Sequence, residues 1–470
     1  MKKELTITIA SLLLLSLAAN AQYKSGQEPD FAPEDAAADS TVVLTLEDAL
    51  RIALNENLSV KIADKEIKRT EYAKKGTYAS LFPQINATGS YQRTLVKNDI
   101  RSMMGDSDLS RSMKNTKIGN SNSFSAGVSA SMPVVNSQLW TSLKISGLGV
   151  ETAVEKARSS KIEMVSQVKQ AYLGVLLAKE AFNVYKEVYE NAVGNFDKIE
   201  SKYNADKASE MEYLRAKTSV SNAIPNVFNA ESSIILALWQ LKAVIGIDLD
   251  TAIDVTGEID DYADRMFYDI HQHDSIDVSM NSTMRQLDLQ ADQLLKTVKL
   301  QKLAYVPTLS ISAALQYSSV ANDPIESLAW FPYSYAGLSL SIPICSGGKR
   351  LNDVRQAKNQ YEQLRLQTTN TERQLKISVK NSLVTMETNM KNYYSAEDAV
   401  ESAMKSYTIV ACSYEVGRAT LTDLNDAQLA LTQSRLSKSQ AVYNFMIAKT
   451  SLETTLGSNE YLEYEESTEE

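Results

Sequence analysis

The sequence predicts a mixed α and β protein, internally duplicated, in which each half joins two membrane strands to a long coiled-coil hairpin. Three observations predict it. Landmarks of the first half recur in the second, two long segments keep a 3.5-residue apolar period, and four short segments alternate with period two.

The duplication is read from paired landmarks. Phe82-Pro83 recurs as Val306-Pro307 and Met132-Pro133 as Ile342-Pro343, while Tyr203 recurs as Tyr414 and Gly246 as Gly457 at a shared offset of 211 residues. Each half reads helix, strand, loop, strand, long helix, short turn, helix. The first repeat spans 22–246 and the second 275–457, with an equatorial linker over 247–274.

The long helices are predicted over 136–202 and 346–413. Met164, Val168, Ala171, Val175, Ala178, Phe182, Tyr185, Tyr189, Ala192, Phe196, Ile199 and Tyr203 are spaced alternately by four and three. The same register in the second half runs from Leu375 to Tyr414, with polar residues only at Ser382 and Asn389. A sustained 3.5-residue period means coiled-coil packing. Each helix reaches ~100 Å at 1.5 Å per residue. Helices near 46–81, 209–246, 275–305 and 420–457 are about half as long. Two of them stacked end to end match one long helix, which predicts a tall helical wall.

The strands are predicted at about 84–95, 123–133, 308–318 and 333–343. Their apolar sets are Ile85 to Tyr91, Phe124 to Met132, Leu309 to Tyr317 and Ala336 to Ile342, each in steps of two, and the intervening residues are mostly Ser, Thr, Asn, Gln and Gly. About ten residues suffice for a tilted transmembrane strand, and a small polar face suits a water-filled lumen. An open sheet edge is too costly in lipid, and closed membrane barrels start at eight strands. Four strands therefore require further copies: two copies give eight and three give twelve. Pro83, Pro133, Pro307 and Pro343 are expected where strands meet helices. The loops 97–122 and 319–332 are polar, and Trp330 and Phe331 fit an interfacial aromatic girdle.

Composition excludes several alternatives. With 48 Lys+Arg against 58 Asp+Glu and a net charge of -10, the chain lacks the basic face a nucleic-acid partner needs. Residues 1–21 read as a secretory signal peptide: Lys2 and Lys3, an apolar stretch from Leu5 to Leu17, and Ala19-Asn20-Ala21 before Gln22. Cys345 and Cys412 are read as packing residues, too far apart for a disulfide if one helix separates them. His271 and His273 read as a solvated loop without a third metal ligand, and 458–470 as an acidic tail. No nucleophile–base set, Gly-rich phosphate loop or metal motif points to an enzyme or to a cofactor.

The doubled layout, the strand pairs flanked by prolines and the segment Tyr414-Glu415-Val416-Gly417-Arg418-Ala419-Thr420-Leu421-Thr422-Asp423-Leu424-Asn425-Asp426-Ala427 resemble the TolC-like outer-membrane factor family. The likeness covers nearly all of the chain after the signal peptide. It implies a homotrimer with a twelve-stranded barrel in the outer membrane of a Gram-negative bacterium and a twelve-helix periplasmic tunnel. It also implies a periplasmic adaptor and an inner-membrane pump as partners. The expected function is the exit duct of a tripartite efflux pump, with type I protein secretion as the alternative duct. A periplasmic coiled-coil adaptor or structural protein, which needs no membrane strands, is the alternative of another class.

The resemblance also assigns residues. The acidic rings of the pore entrance fall on Asp423 and Asp426, and a closed-state contact falls on Tyr414 and Glu212. The repeat places Arg215 opposite Asp426. Val416, Gly417, Arg418, Ala419 and Thr420, with 205–209 of the first half, fall at the adaptor-docking tips. The family often has a basic residue where this chain has Ala419, and Arg418 stands one place earlier. Two of the acids have a second reading: Thr420-x-x-Asp423 and Ser209-x-x-Glu212 are capping boxes that open helices. Asp426 lies one turn further in and has no capping duty.

Overall fold

A computed structural model describes residues 42–99, 117–264, 266, 277–322 and 328–457. The signal peptide, His271, His273 and the acidic stretch 458–470 lie outside these residues.

The first half opens with a short strand β1 (Val42–Leu44) and helices α1 (Leu46–Glu56) and α2 (Leu58–Ala79). Strands β2 (Gln84–Arg93), β3 (Asn98–Asp99), β4 (Lys117–Ile118) and β5 (Asn122–Val135) lead into α3 (Ser137–Asn204) and α4 (Glu210–Ile245). A strand β6 (Ile253–Val255) and a single turn of 3-10 helix (Ile259–Tyr262) follow. The second half is α5 (Ser282–Leu303), β7 (Thr308–Ala321), β8 (Phe331–Ser341), α6 (Lys349–Glu415) and α7 (Leu421–Leu456). The long helices have 68 and 67 residues, about 100 Å each.

Several boundaries differ from the sequence reading, each for a local reason. The expected helix over 46–81 is broken at Asn57, whose extended backbone ends α1 while its side chain caps α2. Pro133 does not end β5: a bulge between Pro133 and Val135 absorbs it, and the strand runs on. Phe331 opens β8 instead of lying in the preceding loop. The loop expected over 97–122 contains the antiparallel pair β3–β4. Cys345 and Cys412 are both exposed and unpaired, so neither packs in a core.

The main sheet has the order β2-β5-β7-β8, all antiparallel. Directly paired residues share a face. Val135–Leu309–Leu340 and Met132–Ile311–Leu338 therefore form apolar rows, and Ser131–Ser312–Gly337 and Ser310–Ser339 lie on the opposite face. The hydroxyl face continues upward through Ser90 and Ser125, whose Oγ atoms are 2.7 Å apart. β2 and β8 are the outer strands, each with one edge unpaired among the described residues. None of the described helices is long and apolar enough to cross a membrane.

The core lies at mid-height of the helices. Met164, Val168, Tyr172 and Val175 of α3 pack there with Leu241 and Ile245 of α4, Met386 of α6 and Phe445 of α7, all buried. Tyr172 reaches out of this core: its hydroxyl donates to Thr256 O at 2.6 Å and lies 3.2 Å from Leu44 O, which holds the parallel pair β1–β6 against α3.

Two matching joints stack the short helices end to end. Asn57 accepts from the amides of Ser59 and Val60 and donates through Nδ2 to Val244 O at 2.7 Å. Asn281 accepts from Thr283 and Met284 and donates to Thr455 O at 2.8 Å. Each joint meets a helix-ending glycine in the left-handed region, Gly246 (φ 90°) and Gly457 (φ 75°). A Cβ on Gly457 would stand 2.4 Å from Met280 O. Arg158 of α3 closes this second joint by donating to Met280 O and Gly457 O.

Candidate functional site

The predicted site residues all lie at the two hairpin tips. The tips are built alike. Two places beyond the end of α3 stands Asp206 (φ 57°), and two beyond α6 stands Gly417 (φ 76°), positions 211 residues apart. Each chain reversal is closed by the same backbone bond, Lys207 N to Lys202 O at 2.7 Å and Arg418 N to Ser413 O at 2.8 Å. Aspartate tolerates the left-handed angle less easily than glycine, so the two tips share a geometry through different residues.

The next helix starts on a capping box in both tips. Glu212 Oε2 accepts from Ser209 N and Oγ at 2.9 and 3.0 Å. Asp423 Oδ2 accepts from Thr420 N and Oγ1 at 2.8 and 2.7 Å. These bonds to the charged form hold both carboxyls below their ordinary range. Asp423 and Glu212 therefore do the capping that the sequence allowed.

Between the tips lies a small core of Ile199, Ala216, Leu421 and Leu424, with Phe196, Tyr213, Tyr407 and Tyr414 packed on it. Burial raises the Tyr414 phenol above its ordinary value, and the nearby charge of Glu212 adds to that shift. Among the described residues no hydrogen bond joins the two. The acid that the resemblance pairs with Tyr414 already spends its oxygen on Ser209. An ion pair, Lys198 Nζ to Glu415 Oε1 at 3.1 Å, also ties the hairpins together. The family likeness did not point to it, and nothing in the spacing marked it, because the partners lie on different hairpins.

Asp426 is exposed on α7 and makes no hydrogen bond or ion pair among the described residues. It lines a cleft of about 1030 Å³ between the hairpins, together with Arg215, Met211, Leu214, Asn425 and Leu429. Arg215 and Asp426 thus share a cleft, but no ion pair joins them. Val416, Gly417, Arg418 and Thr420 are exposed, whereas Ala419 is half-buried. No group of three or more potential metal ligands occurs among the described residues.

The caps make an acid-sensitive tip. A carboxyl held below its ordinary range stabilises the fold above that range, and the contribution is lost as pH falls through the depressed value. Amide exchange at 210–213 and 421–424, corrected for its intrinsic pH dependence, is expected to rise between pH 5 and pH 3. Thr420→Ala removes the two bonds made by the hydroxyl, leaving the one from the backbone N–H, and should give about fivefold faster exchange at the second tip already at pH 7. Equal exchange at pH 7 in the variant contradicts the capping role.

A four-stranded sheet with one apolar and one hydroxyl face, carried on tall helical hairpins with charged tips, defines a membrane-channel class of protein. A family model for the outer membrane efflux protein matches residues 49–247 and 279–458. The chain belongs to this family and is an outer-membrane efflux protein. Outer membrane protein TolC of Escherichia coli strain K12 is 20% identical over 350 residues, 72% of this chain and 70% of that protein. Alkaline protease secretion protein AprF of Pseudomonas aeruginosa is 21% identical over 295 residues, 63% of this chain and 61% of that one. The Campylobacter jejuni CmeC outer membrane channel superimposes with a TM-score of 0.69 at 16% identity, covering 95% of this chain and 97% of that one.

Proposed function

We propose that the chain is the exit duct of a tripartite efflux pump, a passive channel of three copies without catalytic activity. A periplasmic adaptor opens it at the hairpin tips and an inner-membrane transporter powers it. The observation that carries this reading is the pair of open edges at β2 and β8 on a sheet with one apolar face. In lipid such edges have to be paired, and twelve strands from three copies pair them all.

The helices support the same closure. Within the chain, α3 packs on α5 and α7 of the second half. Shifted by 211 residues, the corresponding face of α6 is uncovered among the described residues and exposes Leu366, Ile377 and Val384. The helices fit to cover it, α2 and α4 of a second copy, expose Leu58, Ile62, Leu236 and Trp239. One face on each side of the chain is a head-to-tail interface, which closes into a ring.

Asp426 is the pore-lining acid of this reading. Asp426→Ala should lower the cation preference of the reconstituted channel severalfold in planar-bilayer recordings, since one fixed charge per copy is lost at the entrance. Unchanged selectivity removes Asp426 from the pore. A photo-crosslinker at Val416 is expected to capture the adaptor of a drug pump. Capture of a type I secretion adaptor favours the second reading, to which the relative AprF gives weight. A coiled-coil structural protein would have no use for the sheet's apolar face.

A further inference from the structure

The hydroxyl face of the sheet has an exception. Along β8 the pairing is regular: Gly337 stands opposite Ser312, Tyr335 opposite Ala314, Tyr333 opposite Gln316 and Phe331 opposite Ser318. Paired residues share a face, so Tyr335, Tyr333 and Phe331 lie on the same side as Gly337, Ser339 and Ser341. They are not on the side of Leu338 and Leu340. The aromatic girdle expected at Phe331 is therefore misplaced: its ring stands on the hydroxyl face, at the end of the sheet remote from the helices.

The rings have open space in front of them. Their neighbours across the sheet are small or polar: Ser318, Ser125 and Ser90 in the row of Phe331, Gln316, Gly127 and Thr88 in the row of Tyr333. Phe331, Tyr333 and Tyr335 are 60, 62 and 49% exposed. The Tyr333 and Tyr335 centroids are 5.9 Å apart with planes inclined by 43°. Barrel interiors are normally polar. Three consecutive aromatic positions on this face are a departure that packing does not explain, since among the described residues no buried core forms on them.

We propose that Phe331, Tyr333 and Tyr335 form an aromatic ladder inside the outer mouth of the channel that binds planar aromatic compounds, organic cations among them, as they leave. The proposal rests on the duct reading, which makes the hydroxyl face the lumen. π-Faces stack on flat rings and attract cations that have shed part of their water. Each copy supplies one ladder, so a departing molecule passes from Asp426 at the entrance to rings at the exit; between them this face of the sheet carries small or polar residues such as Ser129, Ser131, Ser312, Ala314 and Gly337.

The test uses the full-length channel in planar bilayers, with ethidium as a planar aromatic cation and tetraethylammonium as a non-aromatic one, both added on the outer side. Ethidium is expected to block the current transiently and tetraethylammonium is not. Replacing Tyr333 and Tyr335 by Ser, the residue already common on this face, should shorten the ethidium blocks roughly tenfold. Tyr333→Phe should leave them unchanged. Unaltered conductance reports that the double variant has folded, and Tyr333→Ser alone serves if it has not. Equal block by both cations, no block by ethidium, or block unchanged by the serine substitutions overturns the ladder while leaving the duct in place. Failure of the protein to insert into lipid as an oligomer overturns the duct reading itself.

Discussion

Gly457→Ala should disrupt the second equatorial joint, whereas Gly417→Ala, at nearly the same backbone angle, should cost only about 1–2 kcal/mol, the penalty of a left-handed non-glycine residue. The difference lies in the surroundings. At Gly417 an added Cβ meets nothing within 4 Å, but at Gly457 it would stand 2.4 Å from Met280 O and 3.0 Å from the Cα of Asn281. Both neighbours are backbone and cannot swing away. Moving them breaks the Asn281 cap on α5 and the Arg158 bonds to Met280 and Gly457. The total is roughly 2–5 kcal/mol from the backbone penalty and the overpacking. Thermal unfolding of the purified protein in detergent reads the difference. Equal melting of the two variants would show that the joint yields without loss.

The second large effect is expected at Phe445. Its side chain is fully buried in the mid-height core, where α3, α4, α6 and α7 meet. Phe445→Ala removes a ring and leaves a cavity that four rigid helices cannot close, at a cost of about 3–5 kcal/mol. Leu429 lies on the same helix but is 55% exposed, and Leu429→Ala should change stability by less than about 0.5 kcal/mol. The same unfolding measurement checks both. A large loss at Leu429 would mean that the cleft it lines is filled in the assembled protein.

Much of the fold was legible because its signals are local and repeated. Twelve apolar positions in one unbroken register define α3, and the same positions shifted by 211 define α6. Strand alternation located β2, β5, β7 and β8 to within a few residues. The capping boxes at Ser209 and Thr420 could be read because their partners are three residues away. What failed depended on distant neighbours. Asn57 looked like one more polar position on a helix; its Oδ1 caps α2 through the nearby Ser59 and Val60 amides, but its Nδ2 bond to Val244 O reaches across 187 residues. β1 and β6 are three residues each and pair across more than 200 residues, so neither carries a pattern of its own. The face of Tyr333 and Tyr335 follows from alternation within β8, which sets them with Gly337, Ser339 and Ser341; it was missed because the apolar set was read only from Ala336 to Ile342. At the tips, spacing gave Asp423 and Glu212 two readings, and only the observed bonds assign them to the helix ends.

The sheet order has a consequence for how the chain is made. β2–β5 and β7–β8 join neighbouring stretches, and each helical hairpin folds back on itself through a short turn. β5–β7 is different, because it pairs Ser123 with Val320 and Ser125 with Ser318. Contacts so far apart in sequence form slowly, whereas helical hairpins form fast. The first helical hairpin can form while the second half is still arriving, but the sheet has to wait for both halves and then, in the proposed trimer, for the other copies. The membrane portion is thus the last part to be finished, and until it is, β2 and β8 stand as adhesive edges that a chaperone or the lipid surface has to shield.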